Sequence, residues 1–347
     1  MKDKMLTVVK TLPQLGGTEL LEVPVPTPGP NDVLLKVKIC SICGTDVHIY
    51  NWDAWAQNRI KPPLLYGHEF AGEVVEVGKN VTHIKQGDYV SGECHIFCGH
   101  CYQCQTGMQH ICANTKIFGV DRDGIFAEYA CIPAQNIWKN DPKLPLEFAT
   151  IQDPLGNAVH TVFSADVPAK NVVVLGLGPI GLLTVAVCKT IGASQIFAVG
   201  HKNEYRINLA RKVGATHTFK AGDDIEGQIK EATGGQGADV VLEFTGDSDA
   251  VNLGLSLLKI GGAISLLGIF PKPFTTDLNK NFIFKYTTMK GINGRLIWDT
   301  WYQMKGLFRA GMDVSPVITH KFKFPEFLNA METMRSGNSG KVVLYVD

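Results

Sequence analysis

Residues 171–181 decide the fold, and they read NVVVLGLGPIG. Residues 172–175 are apolar and Gly176 follows them, a pattern that predicts a buried strand ending in a tight turn. The apolar pattern resumes after Pro179, a residue that favours the first turn of a helix. The glycines between strand and helix have the spacing Gly-x-Gly-x-x-Gly. The segment therefore predicts the strand, turn and helix of a dinucleotide-binding site.

Five residues of this segment have predicted roles in cofactor binding. Gly176 permits the tight turn, Gly178 lets a pyrophosphate approach the backbone, and Gly181 allows the helix to pack closely on the strand. The helix that starts at Pro179 and Ile180 would direct its positive end at the phosphates. We predict all five residues as cofactor contacts. The alternative is a strand-to-helix turn without a ligand.

The pattern around the turn extends the prediction to a domain. Between residues 158 and 295, apolar strands alternate with helical segments, which indicates βαβ crossovers and a doubly wound parallel sheet. The predicted segments are 171–176, 179–191, 195–200, 204–213, 238–244, 250–260 and 263–268. Residues 1–157 instead contain short β-branched runs separated by turns, which predicts a mostly β domain. The sequence after residue 295 ends in a short predicted strand, 341–346.

The end of the second strand predicts which cofactor binds. An NAD site carries an acidic residue about 20 positions after the glycines, where it holds the ribose 2′-hydroxyl. Here the strand ends in Gly200, His201 and Lys202, and Arg206 follows. These residues offer space and positive charge to a 2′-phosphate, so we predict NADP rather than NAD. Alternatively they are solvated loop residues and both cofactors bind.

Composition limits the classes of protein. The 347 residues contain 33 Lys and Arg against 33 Asp and Glu, and such a balance lacks the basic surface of a nucleic-acid-binding protein. The length suggests two domains. The N-terminal sequence lacks signal-peptide features, which predicts a cytoplasmic protein. Residues 171–193 are apolar enough to imitate a membrane span, but their glycines and proline favour a buried strand and helix, so no membrane partner is predicted.

Cysteines indicate a structural metal site. Cys98, Cys101, Cys104 and Cys112 provide four thiolates within fifteen residues, enough to surround one tetrahedral zinc. An iron–sulfur run would place its last cysteine after three residues and before a proline, which is not the case here. Free buried cysteines are the alternative.

A second group of possible ligands is dispersed along the chain. Cys43, His68, Glu69 and Asp153 supply the thiolate, imidazole and carboxylates that a catalytic zinc uses. Each is unremarkable alone, and Asp153 could instead cap the helix expected after Pro154. His95, His100 and Cys94 lie beside the cysteine loop without its spacing, so we leave them out of the metal set.

Taken together, these motifs resemble those of the medium-chain, zinc-dependent alcohol dehydrogenases, in the same order and over nearly the whole chain. Within that family the sequence is most similar to the L-threonine 3-dehydrogenase branch. The segments that carry the second resemblance are 42–53, 98–101, 153–160, 203–206 and 336–341.

The resemblance implies an architecture. We expect a GroES-like catalytic domain at 1–157, a Rossmann domain at 158–295, and a return to the first domain at 296–347. The family usually assembles as a homotetramer.

The resemblance also implies roles for residues. Cys43, His68 and Glu69 would hold a catalytic zinc, with Asp153 as an occasional ligand or as a carboxylate supporting the proton path. Further implied roles are a proton relay at Thr45 and His48, substrate contacts at His95 and Trp52, and cofactor contacts at Thr245, Leu267, Gly268, Ile269, Ile292 and Asn293. Without the family, Thr45 could cap a helix after Gly44, His48 could be a packed or surface residue, and Trp52 could be a core residue.

The implied function is oxidation of a small secondary alcohol, with L-threonine as the leading substrate. The strand end at 199–202 departs from the threonine branch and resembles NADP-specific secondary alcohol dehydrogenases, which keeps an NADP-dependent polyol, diol or secondary alcohol dehydrogenase as the alternative. A catalytically silent relative would be expected to lose zinc ligands. A zinc-free reductase of the same fold should lack both the cysteine loop and His68-Glu69.

Overall fold

The computed structural model describes residues 3–346. Their strands are β1 (Lys4–Lys10), β2 (Thr18–Pro24), β3 (Asp32–Ser41), β4 (Leu64–Leu65), β5 (Glu69–Val77), β6 (Tyr89–Gly92), β7 (His95–Ile96), β8 (Lys116–Ile117), β9 (Tyr129–Pro133), β10 (Ile137–Lys139), β11 (Asn171–Leu175), β12 (Gln195–Val199), β13 (His217–Phe219), β14 (Ala238–Glu243), β15 (Leu258–Leu266), β16 (Thr288–Gly291), β17 (Ile318–Lys323) and β18 (Lys341–Tyr345).

The α-helices of the same residues are α1 (Gly44–Asn51), α2 (Ala54–Arg59), α3 (Tyr102–Gln105), α4 (Leu146–Thr150), α5 (Gln152–Phe163), α6 (Pro179–Thr190), α7 (Glu204–Val213), α8 (Ile225–Ala232), α9 (Ser248–Leu257), α10 (Asp299–Arg309) and α11 (Phe327–Arg335). Short 3₁₀ or π turns lie at Gln109–Ile111, Ala134–Asn136, Asn279–Ile283, Ser315–Val317 and Phe324–Glu326. None of the described helices combines the length and apolarity needed to cross a lipid bilayer.

Contacts divide the chain into two compact units. The first comprises Met1–Asp153 and Ile318–Asp347, and the second comprises Pro154–Val317. The first boundary thus lies four residues before the expected end at Asn157. The second lies after Val317 instead of after Arg295, because the turn Ser315–Val317 packs on α6 and α7 of the second unit. The return to the first unit therefore starts at β17.

The first unit is built on antiparallel strands. In its described part, β10, β6, β5, β3, β18 and β17 follow one another in a sheet in which β9 also pairs with β3, while β2, β1 and β4 form a smaller sheet. The core between them is apolar and includes Val33, Phe70, Phe126 and Phe327. Strand β18 pairs with β3, so a distant segment of the chain packs beside the predicted zinc ligands Cys43, His68 and Glu69.

The second unit is the predicted Rossmann domain. Its described strands pair in parallel in the order β13, β12, β11, β14, β15 and β16. Because β11 is next to both β12 and β14, the strand order reverses there, and ligands of such sheets bind outside the carboxyl ends of the strands at that point. The predicted doubly wound parallel sheet is confirmed, and the first unit is mostly β as predicted.

The predicted C-terminal end of one helix is wrong. The segment 250–260 was expected to be helical throughout, but α9 ends at Leu257 and β15 begins at Leu258. The Lys285 ammonium group donates to the carbonyls of Leu255, Ser256 and Leu258 at 2.7, 3.2 and 2.8 Å. A side chain about thirty positions away thus satisfies the terminal carbonyls, and the local pattern of the sequence contains no sign of it.

Candidate active site and metal centres

Helix α1 organises the first part of the site. Cys43 is its N-cap residue, and the Asp46 carboxylate accepts the Cys43 backbone N–H at 2.8 Å. Thr45 lies inside the first turn, with its hydroxyl 3.8 Å from the Cys43 sulfur. The alternative that Thr45 caps this helix is therefore wrong, since the cap is Cys43. The thiol and the hydroxyl are held side by side.

Three of the predicted zinc ligands meet at this point. One ligand atom each of Cys43, His68 and Glu69 lies within 4.8 Å of the others. His68 and Glu69 are buried, and Glu69 starts β5, whose pairing with β3 fixes its position. A thiol, an imidazole and a carboxyl group at this separation match the ligand set of a catalytic zinc.

The two carboxylate oxygens of Glu69 have different surroundings. One carboxylate oxygen accepts hydrogen bonds from the Ser41 hydroxyl and the Lys341 ammonium group. Lys341 also donates to the carbonyl of Ile42 at 2.8 Å. Among the described residues, the other oxygen of Glu69 has no hydrogen-bond partner. That buried oxygen is therefore the one available to a metal ion.

The electrostatics of the cluster favour a bound cation. Asp46 is fully buried, with a carboxylate oxygen 3.8 Å from Nδ1 of His68. Burial raises the pKa of Asp46 to about 6, against the opposing effect of His68. Burial also lowers the pKa of His68, yet the Cys43 thiol and Asp46 outweigh it and raise that pKa well above its ordinary value. The acidic side chains that raise the pKa of His68 would also stabilise a zinc ion bound in this pocket.

Asp153 lies outside this group. It is buried in the first turn of α5, which begins at Gln152, and it is absent from the three-residue ligand group around Cys43. The alternative that Asp153 caps the helix following Pro154 is wrong, because Asp153 and Pro154 both lie within that helix. A ligand role for Asp153 stays a prediction.

His95 has a partner that the sequence analysis missed. Its backbone N–H and Nδ1 both lie beside the buried Glu93 carboxylate, at 2.9 and 2.7 Å. Glu93, Cys94 and His95 together form another group that could hold a metal ion, although His95 and Cys94 had been left out of the metal set. The adjacent positions of these residues could have signalled the group.

The remaining predicted residues of α1 occupy its C-terminal end. His48 is exposed, and its Nδ1 is hydrogen-bonded to the Asp53 carboxylate. Trp52 is half-buried against the core of the first unit, and the Lys10 ammonium group lies 5.2 Å from its ring centroid. The alternative role of Trp52 as a packing residue thus has contacts to support it, whereas its substrate contact stays a prediction.

The four predicted cysteines of the loop form the second metal centre. Cys98, Cys101, Cys104 and Cys112 each present a sulfur within 4.8 Å of the other three. The Cys112 sulfur accepts the backbone N–H groups of Cys98 and Asn114, both at 3.3 Å. The backbone N–H of His100, followed by the Asn114 side chain, lowers the pKa of Cys98 to about 5. The lowered pKa favours the thiolate form of Cys98, and four sulfurs placed this close together fit a closed tetrahedral zinc.

The glycine turn of the second unit is shaped to bind a phosphate. Gly176 has a φ of +93°, a conformation that favours glycine. A Cβ on Gly181 would lie 1.9 Å from the carbonyl oxygen of Gly176, so the helix touches the turn. A Cβ on Gly178 would meet nothing within 4 Å, which leaves open space beside the N-terminus of α6. A dinucleotide pyrophosphate fits that space.

The other predicted cofactor contacts follow the carboxyl ends of the neighbouring strands. They are Thr245 after β14, Leu267, Gly268 and Ile269 after β15, and Ile292 and Asn293 after β16. The sequence pattern does not predict a role for Glu243, a buried residue at the end of β14. One of its carboxylate oxygens accepts the backbone N–H of Gly246 at 2.9 Å and the Thr245 hydroxyl at 2.5 Å. Its carbonyl accepts from Leu267 at 3.0 Å, so Glu243 joins two of these loops.

The residues predicted to select the cofactor lie after β12. His201 and Lys202 are exposed, and Arg206 is half-buried in the first turn of α7. Burial lowers the pKa of Arg206 from its ordinary value. A Cβ on Gly200 would lie 2.9 Å from Ile207, so a larger residue there would have to displace this neighbour. Lys202 and Arg206 therefore bring positive charge to the residues after this strand, and residues 200–202 include no carboxylate.

Comparison with known proteins shows the family. Residues 29–143 match the model of the alcohol dehydrogenase GroES-like domain, and residues 179–309 match that of the zinc-binding dehydrogenases. An L-threonine 3-dehydrogenase of Pyrococcus furiosus is 51% identical over 346 residues, 99% of each chain. The chain belongs to the medium-chain, zinc-binding alcohol dehydrogenases. Proteins of this family are oxidoreductases acting on alcohol groups.

Solved structures of zinc-binding dehydrogenases have the same fold as this chain. The 2R,3R-butanediol dehydrogenase from Bacillus subtilis has a TM-score of 0.88 at 27% identity, over 99% of this chain and all of that one. A protein of Sinorhizobium meliloti, provisionally named a zinc-binding dehydrogenase, has a TM-score of 0.90 at 29% identity over the same shares, and its structure contains NADP.

Proposed function

We propose that the dehydrogenase oxidises the 3-hydroxyl group of L-threonine to a ketone with NADP as the hydride acceptor. The observation that carries the chemistry is the grouping of Cys43, His68 and Glu69 beside the Thr45 hydroxyl. The 51% identity to an L-threonine 3-dehydrogenase over 99% of both chains supports the substrate.

The proposed work of the side chains follows from their positions. Zinc bound by Cys43, His68 and Glu69 would supply a Lewis acid that makes the alcohol more acidic. Thr45 would accept the proton of the alcohol through its hydroxyl. His48 lies three residues later on α1, on the same face of the helix, and its exposure lets it release the proton to water. Positioned acid and base groups contribute roughly 10²–10⁴ in rate.

The cysteine loop would hold a second, structural zinc. Its four thiolates leave no open coordination position, so this zinc would stabilise the loop and take no part in the reaction. A reducing compartment keeps cysteines free of disulfides, which fits the unpaired cysteines and supports the proposed cytoplasmic location.

The preference for NADP rests on His201, Lys202 and Arg206. The positive charges of Lys202 and Arg206 and the imidazole N–H of His201 would attract a 2′-phosphate, which NADP has and NAD lacks. The absence of an acidic residue at 200–202 also removes the group that would repel this phosphate.

A second copy of the chain is proposed as the protein partner, in a homotetramer. Among the described strands, β16 pairs only with β15 and leaves one edge open. Beside it, Phe284 and Tyr286 are 75% and 84% exposed. An open strand edge next to exposed apolar side chains favours pairing with a like edge.

A second candidate function is oxidation of a neutral diol, polyol or simple secondary alcohol with NADP. It is favoured by the positive groups after β12 and by the similarity to the butanediol dehydrogenase. A panel of L-threonine, 2,3-butanediol, sorbitol and 2-propanol, each assayed with both cofactors, tests the two functions. We expect the highest kcat/KM with L-threonine and NADP. A higher value with a neutral alcohol would favour the second function.

Metal content tests the zinc sites. Cys43→Ala should reduce the zinc content from two to one per chain and abolish turnover, whereas Cys98→Ala should remove the other zinc and lower the melting temperature. Full turnover by Cys43→Ala would contradict the proposed mechanism.

A further inference from the structure

The corner between α1 and α2 connects a predicted relay residue to a carboxylate. Trp52 ends α1 in the left-handed conformation, with a φ of 55°, and this turn directs the chain into α2. Asp53 is the N-cap residue of α2, where one carboxylate oxygen accepts the Ala56 N–H at 3.1 Å. The other oxygen is hydrogen-bonded to Nδ1 of His48. One side chain therefore caps a helix and contacts the relay residue.

The corner is held by contacts on both sides. The Gln57 side chain donates to the Trp52 carbonyl at 2.8 Å. Lys10 lies against the Trp52 ring and donates to the carbonyls of Gln14 and Gly16 at 2.7 and 2.6 Å. Because the backbone at 52–53 is fixed in this way, the Asp53 carboxylate reaches His48 from a defined direction.

We propose that Asp53 is a positioning residue for His48 in the proton relay. This inference rests on the proposed function. The carboxylate fixes the imidazole with its proton on Nδ1, so Nε2 is left as the acceptor. When Nε2 receives the proton that leaves the substrate hydroxyl, the resulting imidazolium is stabilised by Asp53. Nε2 then releases that proton to water, and His48 returns to its starting state.

Two further observations support the assignment. Burial raises the pKa of Asp53, but the hydrogen bonds from Ala56 and His48 lower it below its ordinary value, so the carboxylate is ionised at neutral pH. A carboxylate on one imidazole nitrogen selects the tautomer and orients the ring in other acid–base sites. The ring of Trp55 also lies beside the imidazole, with its centroid 6.1 Å from that of His48.

The structure suggests a variant that separates the two tasks of Asp53. Serine also caps helices but is too short to reach His48, so Asp53→Ser should retain α2 and lose the contact. We expect kcat to fall roughly tenfold, within the range of acid–base contributions, with the KM for NADP and the melting temperature unchanged. Asp224→Ser is the matched control, since Asp224 caps α8 in the same way, through the N–H of Gly227 at 3.0 Å, and without a histidine partner in that contact.

A double-mutant cycle assigns the effect to His48. In the His48→Gln background, Asp53→Ser should cause no additional loss of kcat. An unchanged kcat in Asp53→Ser, or the same loss in both backgrounds, would overturn the proposal. If His48→Gln itself retains full kcat, the relay of the proposed function fails instead.

A spectroscopic measurement tests the contact without turnover. Solid-state NMR of protein labelled with ¹⁵N-histidine, with His48 assigned by comparison with His48→Gln, reports which ring nitrogen carries the proton. We expect a protonated Nδ1 in the neutral ring of the wild type and a shift toward protonated Nε2 in Asp53→Ser. The Nε2-protonated form in the wild type would overturn the proposal even if L-threonine is the substrate.

Discussion

At the scale of the residue, Glu147 joins α4 to the last strands of the first unit. Its carboxylate accepts from the Lys321 ammonium group at 2.6 Å and from the Tyr345 hydroxyl at 2.5 Å. Burial raises the pKa of Glu147, but these two partners lower it to about 2. Because the folded state has the lower pKa, Glu147 stabilises it above the ordinary pKa of about 4.5 and loses this effect as pH falls toward 2.

We therefore expect Glu147→Gln to destabilise the dehydrogenase near neutral pH. The loss should be about 1 kcal/mol, since solvent weakens a pair near the surface. The difference from the wild type should shrink as pH falls from about 4.5 toward 2. Thermal unfolding at several pH values measures this, and a difference that grows on acidification would contradict it.

Two exposed residues after β12 carry the prediction for the cofactor. Replacing His201 and Lys202 with alanine should raise the KM for NADP about tenfold or more, because the two groups proposed to face the 2′-phosphate are lost. The KM for NAD should change little. Steady-state kinetics with each cofactor measures both KM values. Equal changes for the two cofactors would show that these residues only shape the loop.

At the scale of the element, two glycines of one turn should respond differently to alanine. Gly178→Ala adds a methyl group to open space, so the melting temperature should be retained while the affinity for NADPH falls. Gly181→Ala places a Cβ 1.9 Å from the Gly176 carbonyl, so α6 must move and stability should fall by about 1–3 kcal/mol. Melting curves and NADPH fluorescence titrations compare them, and wild-type affinity in Gly178→Ala would contradict the phosphate site.

The sequence predicted the elements whose signals are local. Strand β11, the start of α6 and the whole of α7 match the predicted segments, because apolar runs and glycines mark them. The short strand β13 and helix α8 were not predicted, and α9 was extended too far, since Lys285 ends it from a distance. Elements held by distant side chains leave little trace in the nearby sequence.

The residues of the candidate site also fall into those with a local sequence signal and those without one. Ligand types and spacing were enough to nominate Cys43, His68, Glu69 and the four cysteines, and the fold brings each set together. The sequence pattern did not predict the side chains that contact these ligands, among them Asp46 next to His68 and Lys341 next to Glu69. Their roles depend on burial and on strand pairing, which spacing along the chain does not reveal.

At the scale of the whole molecule, the open edge of β16 leads to a prediction for assembly. A double variant, Phe284→Glu with Met289→Glu, places like charges on this apolar surface and should yield a smaller assembly than the wild type. Light scattering after size-exclusion chromatography measures the mass. Tyr102→Glu, at another exposed aromatic residue, is the control. An unchanged mass in the double variant would exclude this edge as a contact between copies.

The pairing of Glu69 with Lys341 has a consequence for biosynthesis. The two residues are 272 positions apart, so the carboxylate emerges from the ribosome long before its ammonium partner exists. At about 5–20 residues per second, the delay is on the order of 15–55 seconds. Throughout that interval the nascent first unit lacks β17 and β18 while the second unit is translated and begins to fold. The Glu69 carboxylate is accordingly buried beside its ammonium partner only after nearly the whole chain has been made.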